Sequence, residues 1–373
     1  MFLKPHGVAA GEFVLREDLP PELRIGLFEK PGSSFPAWVR FSSDTIPTMG
    51  DFQTTLGIGI KLFGVDGPKL IDDPEDTTFD LILQNFEVFF LDTAADMCAF
   101  TKAGVIDKNY DKYLDAHPET RALLDAMAKP VGSVLATPYW SGLPFRFGSD
   151  TYAKYKLEPL LFVEQPSSRP DDPTYLAADL RDRVKQASAR FRFLIQLRKD
   201  ADQMPLDRAT VPWSEELSPP IHVADLVLHM QDVTARGQPQ YGENLALNIW
   251  RVTKDHEPVG SLADARRAVY AASAEQRRNV NRIPIGEPDE PRPILTPPPA
   301  VDSIIVRAAI HPAIGIARIG HSKTEYFIGP ELVEAPVDPT SVDPFRDSTG
   351  AIKRQAAASE SMATMQPVGW CAS

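Results

Sequence analysis

The sequence predicts an α+β fold, an antiparallel β-barrel with helical insertions and one long helix near its end. Apolar residues alternate at period two in stretches on both sides of a segment, Thr93 to roughly Met127, where Ala, Lys and Asp recur at helical spacing. A strand set that is interrupted by helices and then resumes closes well as a barrel, because closure removes exposed edges. The first strands are Trp38-Val39-Arg40-Phe41-Ser42, Gly57 to Phe63, and Phe79-Asp80-Leu81-Ile82-Leu83-Gln84, each expected to have one covered face. After the helical insertion come Tyr152 to Val163, Arg190 to Arg198 with Phe191, Phe193, Ile195 and Leu197 on one side, and Ile221 to Met230.

The long helix opens at Ser261-Leu262-Ala263-Asp264, with Ser261 as the expected N-cap and an acid three residues on. Leu262, Ala265, Val269 and Ala272 form its expected core stripe. Arg266, Tyr270, Ser273 and Arg277 occupy another face, since Arg266 and Arg277 are eleven apart, close to three turns. A phenol is a poor iron ligand near neutral pH, with a reference pKa of about 10. A guanidinium one turn away favours the phenolate, which binds ferric iron. Alone, such a pair is ordinary on a solvated helix face.

The 373 residues, 43% hydrophobic, allow one large domain with an appendage or two modest domains. Seven prolines between Pro284 and Pro299 mark a stiff linker. The expected organisation is a domain over 1–283, a linker over 284–302, a second globular pattern over 303–356, and a disordered tail over 357–373. A formal charge of -12 argues against nucleic acid and anionic membranes as partners. No apolar run approaches about eighteen residues, and Met1-Phe2-Leu3-Lys4-Pro5-His6 lacks a signal-peptide core, so a soluble cytoplasmic protein is expected. Cys98 and Cys371 are too few for a disulfide framework or a thiolate metal site and read as incidental. His222 and His229 are seven apart on a strand-like segment, face opposite sides and do not pair on a metal. No complete dinucleotide or phosphate-loop glycine pattern and no serine-hydrolase elbow occurs.

Five stretches in order carry a family resemblance: Lys4-Pro5-His6-Gly7, Trp38 to Ser42, Gly57-Ile58-Gly59-Ile60-Lys61-Leu62-Phe63, Asn85-Phe86-Glu87-Val88-Phe89-Phe90, and Arg266-x-x-x-Tyr270-x-x-Ser273-x-x-x-Arg277. Together they resemble the haem domain of the catalase superfamily over most of residues 1 to 280. The likeness looks closest to short catalase-related bacterial haem proteins, which lack the long amino-terminal arm and the carboxy-terminal domains. It implies a catalase-like barrel whose C-terminal helix carries the haem ligand. It further implies haem b as cofactor, with Tyr270 as the iron ligand, Arg266 holding its phenolate, Arg40 and Arg277 on the propionates, and Ser273 and Phe90 beside the group. On the other face it implies His6 and Asn85 as catalytic groups, with the Ser42 hydroxyl orienting the histidine. The pattern departs at Leu3 and Leu56, where catalases carry arginines, and at Pro5, where Val or Thr is usual.

The implied activity is breakdown of hydrogen peroxide or organic hydroperoxides. Hydroperoxide rearrangement of the allene-oxide-synthase type, a non-catalytic haem-binding barrel, and an accessory or fragment of an amino-acid oxidase stay open, as does a homo-oligomer. The stretches Ile304 to Gly320, Glu325 to Pro330 and Phe345 to Gln355 resemble the beginning of lysine ε-oxidase-like quinoproteins, which release hydrogen peroxide. The change of character after Gln355 is expected of a truncated or frame-shifted fusion, with functional coupling to a peroxide-producing oxidase.

Overall fold

A computed structural model describes residues 2–71, 76–161, 172–282, 288 and 290–293, with three short strands at 305–306, 317–320 and 323–325. Nine strands form the main sheet: β1 (Lys4–Leu15), β2 (Ser34–Ser43), β3 (Leu56–Leu62), β4 (Phe79–Gln84), β5 (Tyr139–Trp140), β6 (Phe145–Phe147), β7 (Thr151–Pro159), β8 (Ala189–Leu197) and β9 (Ile221–Leu228). All neighbours are antiparallel, in the order β5-β4-β3-β2-β1-β9-β8-β7-β6, and β5 also pairs with β7. Because β5 and β6 lie along the same edge of β7, they share one position. The result is a closed barrel of eight positions, as the interrupted strand pattern predicts.

Among the described residues, six α-helices accompany it: α1 (Ala94–Thr101), α2 (Tyr110–Ala116), α3 (Pro118–Met127), α4 (Tyr175–Gln186), α5 (Gln238–Asn244) and α6 (Ser261–Asn281). The first three make up the predicted insertion. None of the described helices is long and apolar enough to cross a membrane. Thr93 starts α1 with a capping box, accepting from the Asp96 backbone N–H while the Asp96 carboxylate accepts from Thr93. Cys98 lies on α1, and Cys371 lies outside the described residues. The tail, and all of the linker except 288 and 290–293, lie outside the described residues. The strands at 305–306, 317–320 and 323–325 form a small antiparallel sheet.

Alternation assigns the strand faces. Ala9 and Phe13, Val39 and Phe41, Ile58 and Ile60, and Leu81 and Leu83 are buried in the main core, while Val8, Ala10 and Trp38 belong to a second cluster on the outer face. β3 is buried along its whole length, not on one face as expected, because Phe2 lies against Gly57 and Leu247, in the segment after α5, against Gly59. The predicted bounds shift slightly: the Tyr152–Val163 strand runs Thr151–Pro159, and the Ile221–Met230 strand stops at Leu228.

His256 lies within the core. Its Nε2 accepts the Leu27 backbone N–H at 3.0 Å, which leaves the proton on Nδ1, facing the Tyr155 hydroxyl at 3.0 Å. The rings of Phe28 and Phe79 pack edge-on at 5.5 and 5.6 Å. Burial lowers the His256 pKa from 6.5 to about 4. Below pH 6.5 the unfolded chain therefore binds a proton that the folded protein refuses, so stability falls as pH falls from 6.5 toward 4. The loss expected from this group is about 2 kcal/mol at pH 5. Urea denaturation at pH 7 and pH 5 measures it, and His256→Gln is expected to lose less stability between the two.

Candidate functional site

The site is built on the outer face of β1 to β4. Pro5 stands opposite Ser42 and Gly7 opposite Phe41, so His6 is the extra residue of a β-bulge. A bulge re-aims one side chain without disturbing the rest of the ladder. Gly7 has φ of +152°, and a Cβ on it would come within 2.9 Å of Leu180 on α4, so the position after the histidine requires glycine. His6 is 4% exposed, and both ring nitrogens are buried without a hydrogen-bond partner.

The register carries this level across the sheet. Ser42 faces Gly57 on β3, and Gly57 faces Gln84 at the end of β4. Asn85 follows at once. Its backbone N–H donates to the Leu56 carbonyl at 2.9 Å, and its Oδ1 accepts the Leu56 N–H at 2.7 Å. With the oxygen engaged, the amide presents Nδ2 as the free donor, buried and without a partner. His6, Ser42 and Asn85 are thus brought to one level on neighbouring strands. Gln84 braces the loop after Asn85, donating to the Val88 carbonyl at 2.6 Å.

Burial, the largest influence, lowers the His6 pKa from 6.5 to about 4, with Asp51 opposing and Lys4 adding to it. At neutral pH the ring is therefore neutral, with one nitrogen donating and one accepting. The Ser42 hydroxyl makes no hydrogen bond to that ring, so the expected orienting bond is not formed.

Helix α6 carries the second set of candidate residues. Its cap is Gly260, at φ of +98°, and Ser261 is the first helical residue instead of the cap. The Asp207 carboxylate takes over the capping role, accepting the Ser261 N–H at 2.7 Å and hydroxyl at 2.8 Å. The predicted core stripe holds only at its start: Leu262 is buried, whereas Val269 is 42% exposed and Ala272 is exposed. The chemical face turns inward instead, with Arg266, Tyr270, Ser273 and Arg277 all partly buried. Tyr270 packs against the main core.

Two attachments hold this face against the barrel. The Arg266 guanidinium lies 5.0 Å over the Phe89 ring, which offers a cation–π contact. Arg266 makes no described hydrogen bond to Tyr270. Arg277 Nη2 donates to the Leu245 carbonyl at 3.0 Å. Arg40 on β2 reaches the same short segment from the other side, with its Nη2 3.9 Å from Glu243 Oε2. Two cations therefore converge there, and Leu247 lies against Gly59 where a Cβ would fill the space. Phe90 pairs with Phe89 at 4.5 Å and Phe100 at 5.1 Å. Among the described residues no group of three His, Cys, Asp or Glu side chains is placed to hold a bare metal ion.

A bacterial catalase superposes with a TM-score of 0.56 at 18% identity, over 74% of this chain and 57% of its own. The fold is catalase-like. A fungal catalase gives a TM-score of 0.58 at 18% identity, over 74% of this chain and 59% of its own. Catalase A from Saccharomyces cerevisiae gives 0.59 at 18% identity, over 75% and 62%. The chain therefore spans 57 to 62% of the length of these catalases. No curated protein matches the sequence. Residues 311–360 match the family model described as L-lysine epsilon oxidase N-terminal. The catalase-like barrel and the oxidase-like segment thus correspond to the two resemblances carried by the sequence motifs.

Sequence reasoning missed Lys4 and Asp51. They form a buried ion pair at 2.5 Å beside His6, and no spacing rule links two residues so far apart in the chain.

Proposed function

We propose that the chain binds haem b and breaks down hydrogen peroxide or organic hydroperoxides. The observation that carries this reading is the pair of buried, unpartnered polar groups at one level of the barrel wall, the His6 ring and Asn85 Nδ2. Orphaned polar atoms are costly in a dry interior, and a bound peroxide would supply their missing partners. Catalase-like architecture with a tyrosine-bearing helix packed on the barrel core supports the cofactor.

Tyr270 would be the iron ligand, with Arg266 leaving the Phe89 ring to hold it ionised. Arg40 and Arg277, already converging on one segment, suit the two propionate carboxylates, and Ser273 and Phe90 would lie beside the group. Bound haem would supply a redox-active iron. The neutral His6 imidazole accepts the proton of a peroxide O–H at one nitrogen and returns it to the second oxygen. Asn85 Nδ2 donates a hydrogen bond to a peroxide oxygen without adding charge, and the Leu56 N–H keeps the amide turned that way.

The test is haem-loaded protein assayed for oxygen evolution, reductant oxidation and fatty-acid hydroperoxide turnover; absence of all three would remove the enzymatic readings together. The cofactor assignment has its own measurement. Tyr270→Phe is expected to abolish the ferric phenolate bands of the visible spectrum, and an unchanged spectrum refutes Tyr270 as ligand.

The match over residues 311–360 favours hydrogen peroxide itself as substrate. The resembled oxidases release it, so the proposed partner activity would feed this one.

A further inference from the structure

We propose that the buried Lys4–Asp51 ion pair is the positioning element for His6, clamping the start of β1 to two other chain segments. The proposal rests on the reading of His6 as the proton-handling group. His6 has no hydrogen bond of its own through either ring nitrogen, so its placement must come from the backbone on each side. On the far side, Gly7 is packed against Leu180 of α4. On the near side, two residues before the histidine, stands Lys4, whose side chain is 5% exposed while that of Asp51 is wholly buried.

The Lys4 ammonium donates to the Met49 carbonyl at 2.6 Å and the Pro173 carbonyl at 2.8 Å and lies 2.5 Å from Asp51 Oδ1 as an ion pair. The other Asp51 oxygen accepts the Leu176 N–H at 3.0 Å, at the first turn of α4, where a carboxylate is favourably placed. One pair therefore fastens β1, the 44–55 loop and α4 together. A surface ion pair would do little of this, but a buried one tied into three chain segments is geometrically exacting.

The pair also sets the field at His6. The charges whose influence reaches the ring are Asp51 and Lys4, of opposite sign. On α4, Asp179 is engaged by Arg183 at 2.7 Å, and the neighbouring Ser42 and Asn85 carry no charge. Intact, the pair presents a near-neutral neighbour; broken on one side, it presents a buried charge.

The experiment is a carbon-13 NMR titration of the full chain labelled at histidine, with the His6 resonance assigned by its loss in His6→Gln. Lys4→Met leaves Asp51 unpaired and is expected to raise the His6 proton affinity roughly tenfold or more. Asp51→Asn leaves Lys4 unpaired and is expected to lower it, and Lys4→Arg is expected to keep it near the wild-type value. Shifts of the same sign in Lys4→Met and Asp51→Asn, or no shift in either, overturn the proposal. If either single variant fails to fold, Lys4→Met/Asp51→Leu, which leaves no unpaired charge, decides: His6 should titrate near its wild-type midpoint but with a broadened or split resonance. A single sharp wild-type resonance there overturns the clamp. These readings need no cofactor. Absence of peroxide turnover by the wild type would count against the proposed function, not against the clamp.

Discussion

His6→Ala in haem-loaded protein is expected to lower kcat/KM for peroxide by roughly 10² to 10⁴, the range that a positioned acid–base group contributes. Burial keeps the ring neutral at pH 7, so one nitrogen can take a proton while the other can give one. Alanine removes both functions and opens space at a site already 4% exposed. His6→Gln retains a hydrogen-bonding side chain but cannot shuttle a proton, so it is expected to fall in the same range. Stopped-flow turnover of both variants beside the wild type makes the measurement. Wild-type rates in either would show that the proton moves by another route. The visible spectrum should stay close to wild type in both, since Tyr270, the proposed ligand, lies on a different element.

Asp80→Ala is expected to cost about 3–5 kcal/mol of stability, the penalty for breaking a buried ion pair from one side. Asp80 sits on β4 with its side chain wholly buried, accepting from Lys61 Nζ at 2.7 Å through Oδ1. Its Oδ2 accepts from Arg251 Nη1 at 2.6 Å and from the Asn248 backbone N–H at 2.9 Å. Removing it takes a counter-ion from Lys61 and from Arg251 in a dry region, although Arg251 keeps Asp76 at 3.3 Å, and loosens the segment that leads into α6. Chemical denaturation reads the stability, and a loss below 1 kcal/mol would place the site in a far wetter setting than its burial indicates. Lys61→Met is expected to cost less, because Arg251 still satisfies the carboxylate.

The barrel was legible because its evidence is local. Period-two alternation in Arg190 to Arg198 and Phe79 to Gln84 reports which face is covered, and the structure agrees. The face of α6 was harder. Its apolar and polar stripes were both visible, but Val269 points outward and the Arg266–Tyr270–Arg277 stripe inward, because Phe89, the barrel core and the Leu245 carbonyl hold those three side chains. The Asp207 cap of α6 and the Lys4–Asp51 pair join residues that lie far apart in sequence, so no local pattern announces them. The bulge at His6 was hidden for a related reason: one extra residue shows itself only against a partner strand.

The groups assembled on β1 to β4 stand on the outside of the barrel, and the neighbouring residues of the same strands fill its inside. Consecutive positions in one strand therefore answer to different demands. A library varied only at inward positions such as Val39, Ile58 and Leu81 would sample thermal tolerance while the proposed site keeps its backbone anchors. One varied at Arg40, Gly57 and Gln84 would sample chemistry on a scaffold whose interior is untouched. Alternation along a strand makes this barrel a partition between two traits that can be selected separately.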